Sequence, residues 1–331
     1  MANVVKPTVI AIGLDSAEPD RIDDWIDRGY LPTIGSLRSR GAYCRFKGPT
    51  QYRAEQAWTS VLTGCDPRQT GYWTGLQFDA ATYHVQHRGT YDYREYPPFY
   101  ALGPDYRVAV FDMPQTRISD RVDGIQILAW GAHSAGAASA SRPTHLIAEL
   151  SQAYGSHPAL NRDHASFWNP LAMMWLRKAL ETGIRRRAEI CRHLLRRERW
   201  DLFLTAFSEP HSAGHFFWHL SDERHPLHKA NRSAIGDPML QLFRSIDHAI
   251  GEIVAAGPPE ASVVLFSPEG MQSNSLDLPS LVFLPELLFR FNFPGEVGLA
   301  DRQRSARIPP PIDPPKSLGW YRDLYARRHD R

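Results

Sequence analysis

LFLTAFSEPHSAGHFFWHL, residues Leu202 to Leu220, opens as one kind of structure and closes as another. Leu202–Phe207 is a short, unbroken apolar run, the pattern of a strand buried on both faces. It stops at Ser208-Glu209-Pro210-His211, and His215 and His219 follow. The same pattern recurs on either side of this stretch. Val9–Leu14 runs into Asp15-Ser16, and Ser262–Phe266 runs into Ser267-Pro268-Glu269-Gly270. Ligands of open α/β sheets bind beyond the carboxyl ends of the strands. If these three strands are parallel, Asp15, Glu209, His211, His215 and Glu269 share one edge of the sheet.

The segments between the strands read as helices. DSAEPDRIDDWIDRG (15–29) offers cap residues, an acidic first turn and a terminal glycine. A second helix is expected from Pro32 to near Gly41, and a third over AEQAWTSVL, buried through Trp58 and Leu62. Gly71–Pro98, dense in Tyr and Thr, reads as hairpins or loops, and the aromatic-rich Gly71–Tyr100 and Trp168–Trp175 stretches as packing the core or lining a pocket. Arg107–Phe111 and Ile125–Ala129 are expected strands, and SRPTHLIAELSQAYG (141–155) is an expected helix. Leu176, Leu180, Ile184, Cys191 and Leu195 mark one face of a long helix over 170–197. Arg185-Arg186-Arg187 and Arg196-Arg197 on it read as a solvated face. A further helix is expected over 238–256. Strands alternating with helices predict an α/β fold, a mostly parallel sheet with helices on both faces. Residues 1–298 form one such domain; 299–331, basic and proline-rich, read as an extended arm.

The chain has 331 residues, enough for one large α/β core. Lys and Arg total 38 against 36 Asp and Glu, a net charge of +2 with no long block of one sign, so nucleic acid is not an expected partner. Three cysteines, Cys44, Cys65 and Cys191, have neither disulfide-framework nor zinc-finger spacing, and a reducing compartment is expected. The N-terminal stretch is too short for a signal h-region or a membrane span. The reading is a cytoplasmic protein with no membrane contact.

His211 and His215 are four apart, so a helical turn would put both on one face. Imidazole and carboxylate together are ligands that zinc and similar ions accept. Each residue also has a plain use: Asp15 as a helix cap, His219 stacked among Phe216, Phe217 and Trp218. Arg53, near a helix start where free N–H groups favour anions, is a candidate for binding an anionic substrate group.

Four stretches carry a resemblance: VIAIGLDSAEPDRIDDWIDRGYLPTIGSLRSRGA, AWTSVLTGCDPRQTGYW, WDLFLTAFSEPHSAGHFFWHLSDERHP and VVLFSPEGM. Together, in this order over about Val9 to Pro294, they resemble the type I phosphodiesterases and nucleotide pyrophosphatases of the alkaline phosphatase superfamily. The resemblance implies an alkaline-phosphatase-like fold holding two metal ions, usually zinc, and a Thr or Ser that attacks phosphorus. It implies that Asp15 is the first metal aspartate and that His215 is the histidine of an Asp-x-x-x-His pair whose aspartate is His211 here. The family's Ser-Asp-His-Gly appears as Ser267-Pro268-Glu269-Gly270, with Glu269 in the histidine's place. The usual nucleophile position falls on Ala54; Thr50 is the nearest hydroxyl, and Glu209 is a candidate general base or further ligand.

The implied function is metal-dependent hydrolysis of a small-molecule phosphate diester or related ester, with one or two divalent ions, zinc first. The alternatives are a family member that binds a ligand or partner without turnover, or a fragment of a longer enzyme. Asp15, His211, His215 and Glu269 within metal reach would favour catalysis; a guanidinium among them would favour binding alone.

Overall fold

The structure, a computed structural model, describes residues 7–46, 56–82, 84–87, 89–131, 138–160, 170–225, 228, 236–273 and 283–297. In chain order the elements are β1 (Val9–Leu14), α1 (Pro19–Asp27), α2 (Pro32–Arg40), α3 (Ala57–Thr63), α4 (Pro67–Thr70), β2 (Leu76–Asp79), β3 (His84–His87), β4 (Gly103–Phe111), β5 (Val122–Leu128), β6 (Ala140–Arg142), α5 (Leu146–Tyr154), α6 (Pro170–Arg197), β7 (Leu202–Phe207), α7 (Glu209–Ser221), α8 (Pro238–Ala256), β8 (Ser262–Phe266) and α9 (Leu284–Asn292).

Six strands form one sheet in the order β6-β5-β4-β7-β1-β8. All neighbours pair in parallel except β5 and β6, so the sheet is mostly parallel with an antiparallel edge. β7 is buried at every residue, because it has a strand on each side and packed elements on each face. That is why its sequence is continuously apolar instead of alternating. β8, at the other edge, is only partly covered, with Val264 exposed.

One face of the sheet carries Ile10, Ile12, Phe111, Ile127, Phe203 and Phe207 and meets α6 and α8. The predicted stripe on α6 faces this core: Leu176, Leu180, Ile184, Cys191 and Leu195 are all buried. On α8, Phe243, Ile246, Ile250 and Ile253 do the same. Each such side chain contributes about 1.5–3 kcal/mol by leaving water. Asp247, also on α8, accepts from the backbone N–H groups of Thr33 (3.1 Å) and Ile34 (2.8 Å), capping the start of α2 from outside. The opposite face packs Val108, Val110, Leu204 and Ala206 against Trp58 and Leu62 of α3 and against Tyr72, Tyr91, Tyr93 and Tyr100. The tyrosine-rich stretch, which also forms the β2–β3 hairpin, is thus core on this face.

One sequence expectation needs correction here, and one element goes beyond the expectations. The segment after β7 is a helix of 13 residues, α7, which no apolar period had marked. Arg187 is not on a solvated face: it is 0% exposed, while the side chain of Arg185 is 60% exposed. Successive helical residues are rotated by about 100°, so three arginines in a row cannot share one face. The arm at 299–331 lies outside the described residues.

Candidate metal centre

β7, β1 and β8 are adjacent and parallel, so their carboxyl ends lie side by side. Asp15 follows β1 directly and its N–H continues the ladder to the Phe207 carbonyl at 2.9 Å. Asp15 is 2% exposed, and its Oδ1 accepts from Trp58 Nε1 at 2.7 Å. Gly13 makes that bond possible. A Cβ there would come within 2.7 Å of the Trp58 ring, so only glycine lets the indole cross β1 and reach Asp15.

Ser16 turns the chain from β1 toward α1 with φ at 59°, a left-handed conformation that costs a non-glycine residue on the order of 1 kcal/mol or more. Its Oγ lies 2.9 Å from His211 Nδ1 and donates to Glu269 Oε1 at 3.1 Å, linking two strand ends through the third. The turn after β8 is tied down by Ser267, whose Oγ bonds the Leu14 carbonyl (2.6 Å) and the Glu269 carbonyl (2.7 Å).

On α7, His211 and His215 do share a face, with their Nε2 atoms 2.9 Å apart. His211 Nδ1 also stands 3.4 Å from Asp15 Oδ2. Gly214, between the histidines, admits Met271 of the β8 turn: a Cβ there would overlap the thioether sulfur at 1.8 Å. The helix and the turn carrying Glu269 are therefore packed directly together.

Asp15, His211 and Glu269 each offer one ligand atom, and these atoms lie within 4.8 Å of one another. Donors sharing a tetrahedral zinc ion would sit roughly 3.4 Å apart, given bonds of about 2.1 Å. Two carboxylates and a neutral imidazole carry a charge of about −2, and their oxygen and nitrogen donors suit a divalent ion. His215 reaches this trio through His211. Pro268 offers no ligand atom on its side chain.

Glu209 is placed elsewhere, and its expected role as a base or ligand at this edge is corrected. Its side chain is fully buried, with Oε1 3.2 Å from His157 Nε2 and 3.5 Å from Arg187 Nε. Burial alone would raise its pKa, but the Arg187 guanidinium and the His157 ring outweigh burial and hold it below the usual carboxylate value. Thr50 and Arg53 lie outside the described residues. Ser16 and Trp58 are the site residues that sequence reading missed. The adjacency of Ser16 to Asp15 is the only signal the chain offers for it.

His219 sits deeper on α7, 4% exposed, with its ring 5.9 Å from that of His225. Burial, then the neighbouring His225 and His228, push its pKa down to about 4. An unfolded histidine titrates near 6.5, so between about pH 6.5 and 4 the unfolded chain binds the extra proton. Stability is therefore expected to fall as pH drops through that window. Urea midpoints across it should show a shallower slope for His219→Gln; an equal slope would mean that other groups carry the acid sensitivity.

A profile of the type I phosphodiesterase / nucleotide pyrophosphatase family matches residues 9–292, most of the chain. The chain belongs to this family. A search of curated proteins found no match. Among solved structures, phosphonoacetate hydrolase from Sinorhizobium meliloti 1021 in complex with phosphonoformate is similar at 17% identity and a TM-score of 0.49. The same enzyme in complex with phosphonoacetate is similar at 17% identity and 0.45. Each likeness covers 82% of this chain but only 58% of the hydrolase chain. Among the described residues, no helix is long and apolar enough to cross a membrane.

Proposed function

We propose that this family member is a metal-dependent hydrolase of small phosphate diesters or related esters, with Asp15, His211 and Glu269 holding a divalent ion, zinc first among the candidates. The observation that carries this reading is the meeting of those three side chains where three adjacent parallel strands end. Bound there, the ion would supply Lewis-acid stabilisation of charge on the phosphoryl oxygens. His215, exposed at the mouth and bonded to His211, is placed to steady that ring or to join the ligand set. From the sequence, Thr50 is the proposed attacking hydroxyl and Arg53 the contact for an anionic phosphate oxygen. The cysteine pattern supports a cytoplasmic setting.

The test is metal content by elemental analysis after zinc loading and dialysis, wild type beside His211→Ala, followed by a screen of phosphate diesters and monoesters. About one or two equivalents in the wild type, lost in the variant along with hydrolysis, is the expected result. A folded wild type that retains no zinc, manganese or iron would overturn the reading.

A further inference from the structure

A second polar cluster, fully buried, lies at the carboxyl ends of β4 and β7. Arg187, from the middle of α6, enters it with its guanidinium carbon 5.4–5.5 Å from the ring centres of Phe111, Trp130 and Phe207. Its Nη2 donates to Asp112 Oδ2 at 2.8 Å, and its Nε points to Glu209 Oε1 at 3.5 Å. Asp112, just past β4, also accepts from the backbone N–H groups of Trp130 (2.8 Å) and Gly131 (3.0 Å). Glu209 is the first residue of α7.

His157 completes the cluster, and its protonation follows from its neighbours. The backbone N–H of Ala159 donates to His157 Nδ1 at 3.1 Å, so that nitrogen carries no proton. The proton is on Nε2, which donates to Glu209 Oε1, and the ring is neutral. Among the described residues, one cation thus faces two carboxylates, all three side chains fully buried. Burying three charges is costly, and an apolar filling of the same volume often serves stability as well. What an apolar filling would not supply is direction.

Direction is what α7 needs at its start. Ser208, at the N-cap, makes no side-chain capping bond; its hydroxyl bonds the Gly131 carbonyl instead, at 2.8 Å. The first turn is therefore oriented by Ser208 on Gly131 and by Glu209 on Arg187 and His157, not by an ordinary cap. His211 lies two residues on, projecting from the other side of the same turn, toward Asp15.

We infer that Arg187 is a positioning residue for the metal centre, holding the first turn of α7 through Glu209 so that His211 stays within reach of Asp15 and Glu269. This rests on the proposed metal-binding reading. A small rotation of that turn would swing His211 away while leaving the sheet and core in place.

The experiment is a zinc competition titration with a chromophoric chelator on the full chain. Wild type, Glu209→Gln and Arg187→Lys are compared with Phe243→Leu, a core variant on α8 outside both clusters. Melting temperatures of the metal-free proteins are recorded beside the titrations. Expected is a 10–100-fold loss of zinc affinity in the first two variants, the range seen for partners that orient a metal ligand. Phe243→Leu should melt earlier but bind zinc as the wild type does. Wild-type affinity, within twofold, in a folded Glu209→Gln or Arg187→Lys protein would overturn the inference and leave the metal reading standing. A wild type that binds no zinc would overturn the metal reading and the inference with it.

Discussion

Asp15→Asn is expected to lower zinc affinity by more than the roughly 10–100-fold that an outer partner costs, and to remove phosphate-ester hydrolysis, without harming the metal-free fold. The amide keeps an oxygen for Trp58 Nε1, so the 2.7 Å bond across β1 has a ready replacement. Removing one negative charge also relieves the crowding of two carboxylates whose ligand atoms lie within 4.8 Å of each other when no ion is bound. The two effects separate in a thermal melt. A ligand that binds only the native state stabilises it by about 2.7 kcal/mol at a hundred times its Kd. Zinc at that level should raise the melting temperature of the wild type and leave that of the Asn variant unmoved. Equal stabilisation of both proteins by zinc would show that Asp15 is not a ligand.

The parts of this arrangement that were legible in the sequence are those a one-dimensional pattern can encode. Val9–Leu14 and Leu202–Phe207 read as strands because a central parallel strand is apolar throughout, and Ser262–Phe266 carries a similar short apolar run at the sheet edge. The helices at 170–197 and 238–256 were legible because each buries one stripe and solvates the rest. α7 was not, since Ser212, Ala213, Gly214, Phe216 and Phe217 are buried together and leave no clean polar face to set a period. Asp15, His211 and Glu269 could be grouped because each lies just beyond a strand end. Glu209 was misplaced for a geometric reason: residues two apart on a helix project about 200° apart, so its closeness to His211 in sequence takes it away from His211 in space. Ser16 depends on a left-handed φ, and Arg187 on which way its helix is turned. Neither is written in local composition.

That turn of α6 gives the second large effect. Arg187→Met is expected to destabilise the protein by about 3–5 kcal/mol, the cost of removing one partner of a buried ion pair. Among the described residues, Asp112 and Glu209 would be left buried with a neutral imidazole and backbone N–H groups as their donors. Against a typical folding free energy of about 5–15 kcal/mol, such a loss is a large share of the total. It should appear directly as a lower urea midpoint. A double variant, Arg187→Met with Glu209→Leu, removes the stranded carboxylate as well and leaves Asp112 to its two backbone donors. It should recover part of the stability that the single variant loses, because the charge that made the loss expensive has gone. If Arg187→Met alone costs less than about 1 kcal/mol, the range of surface ion pairs, the cluster is not the enclosed charge pair described here. If the double variant is the more stable protein yet still binds zinc weakly, the stability of the fold and the aim of His211 are separate properties of the same buried charges.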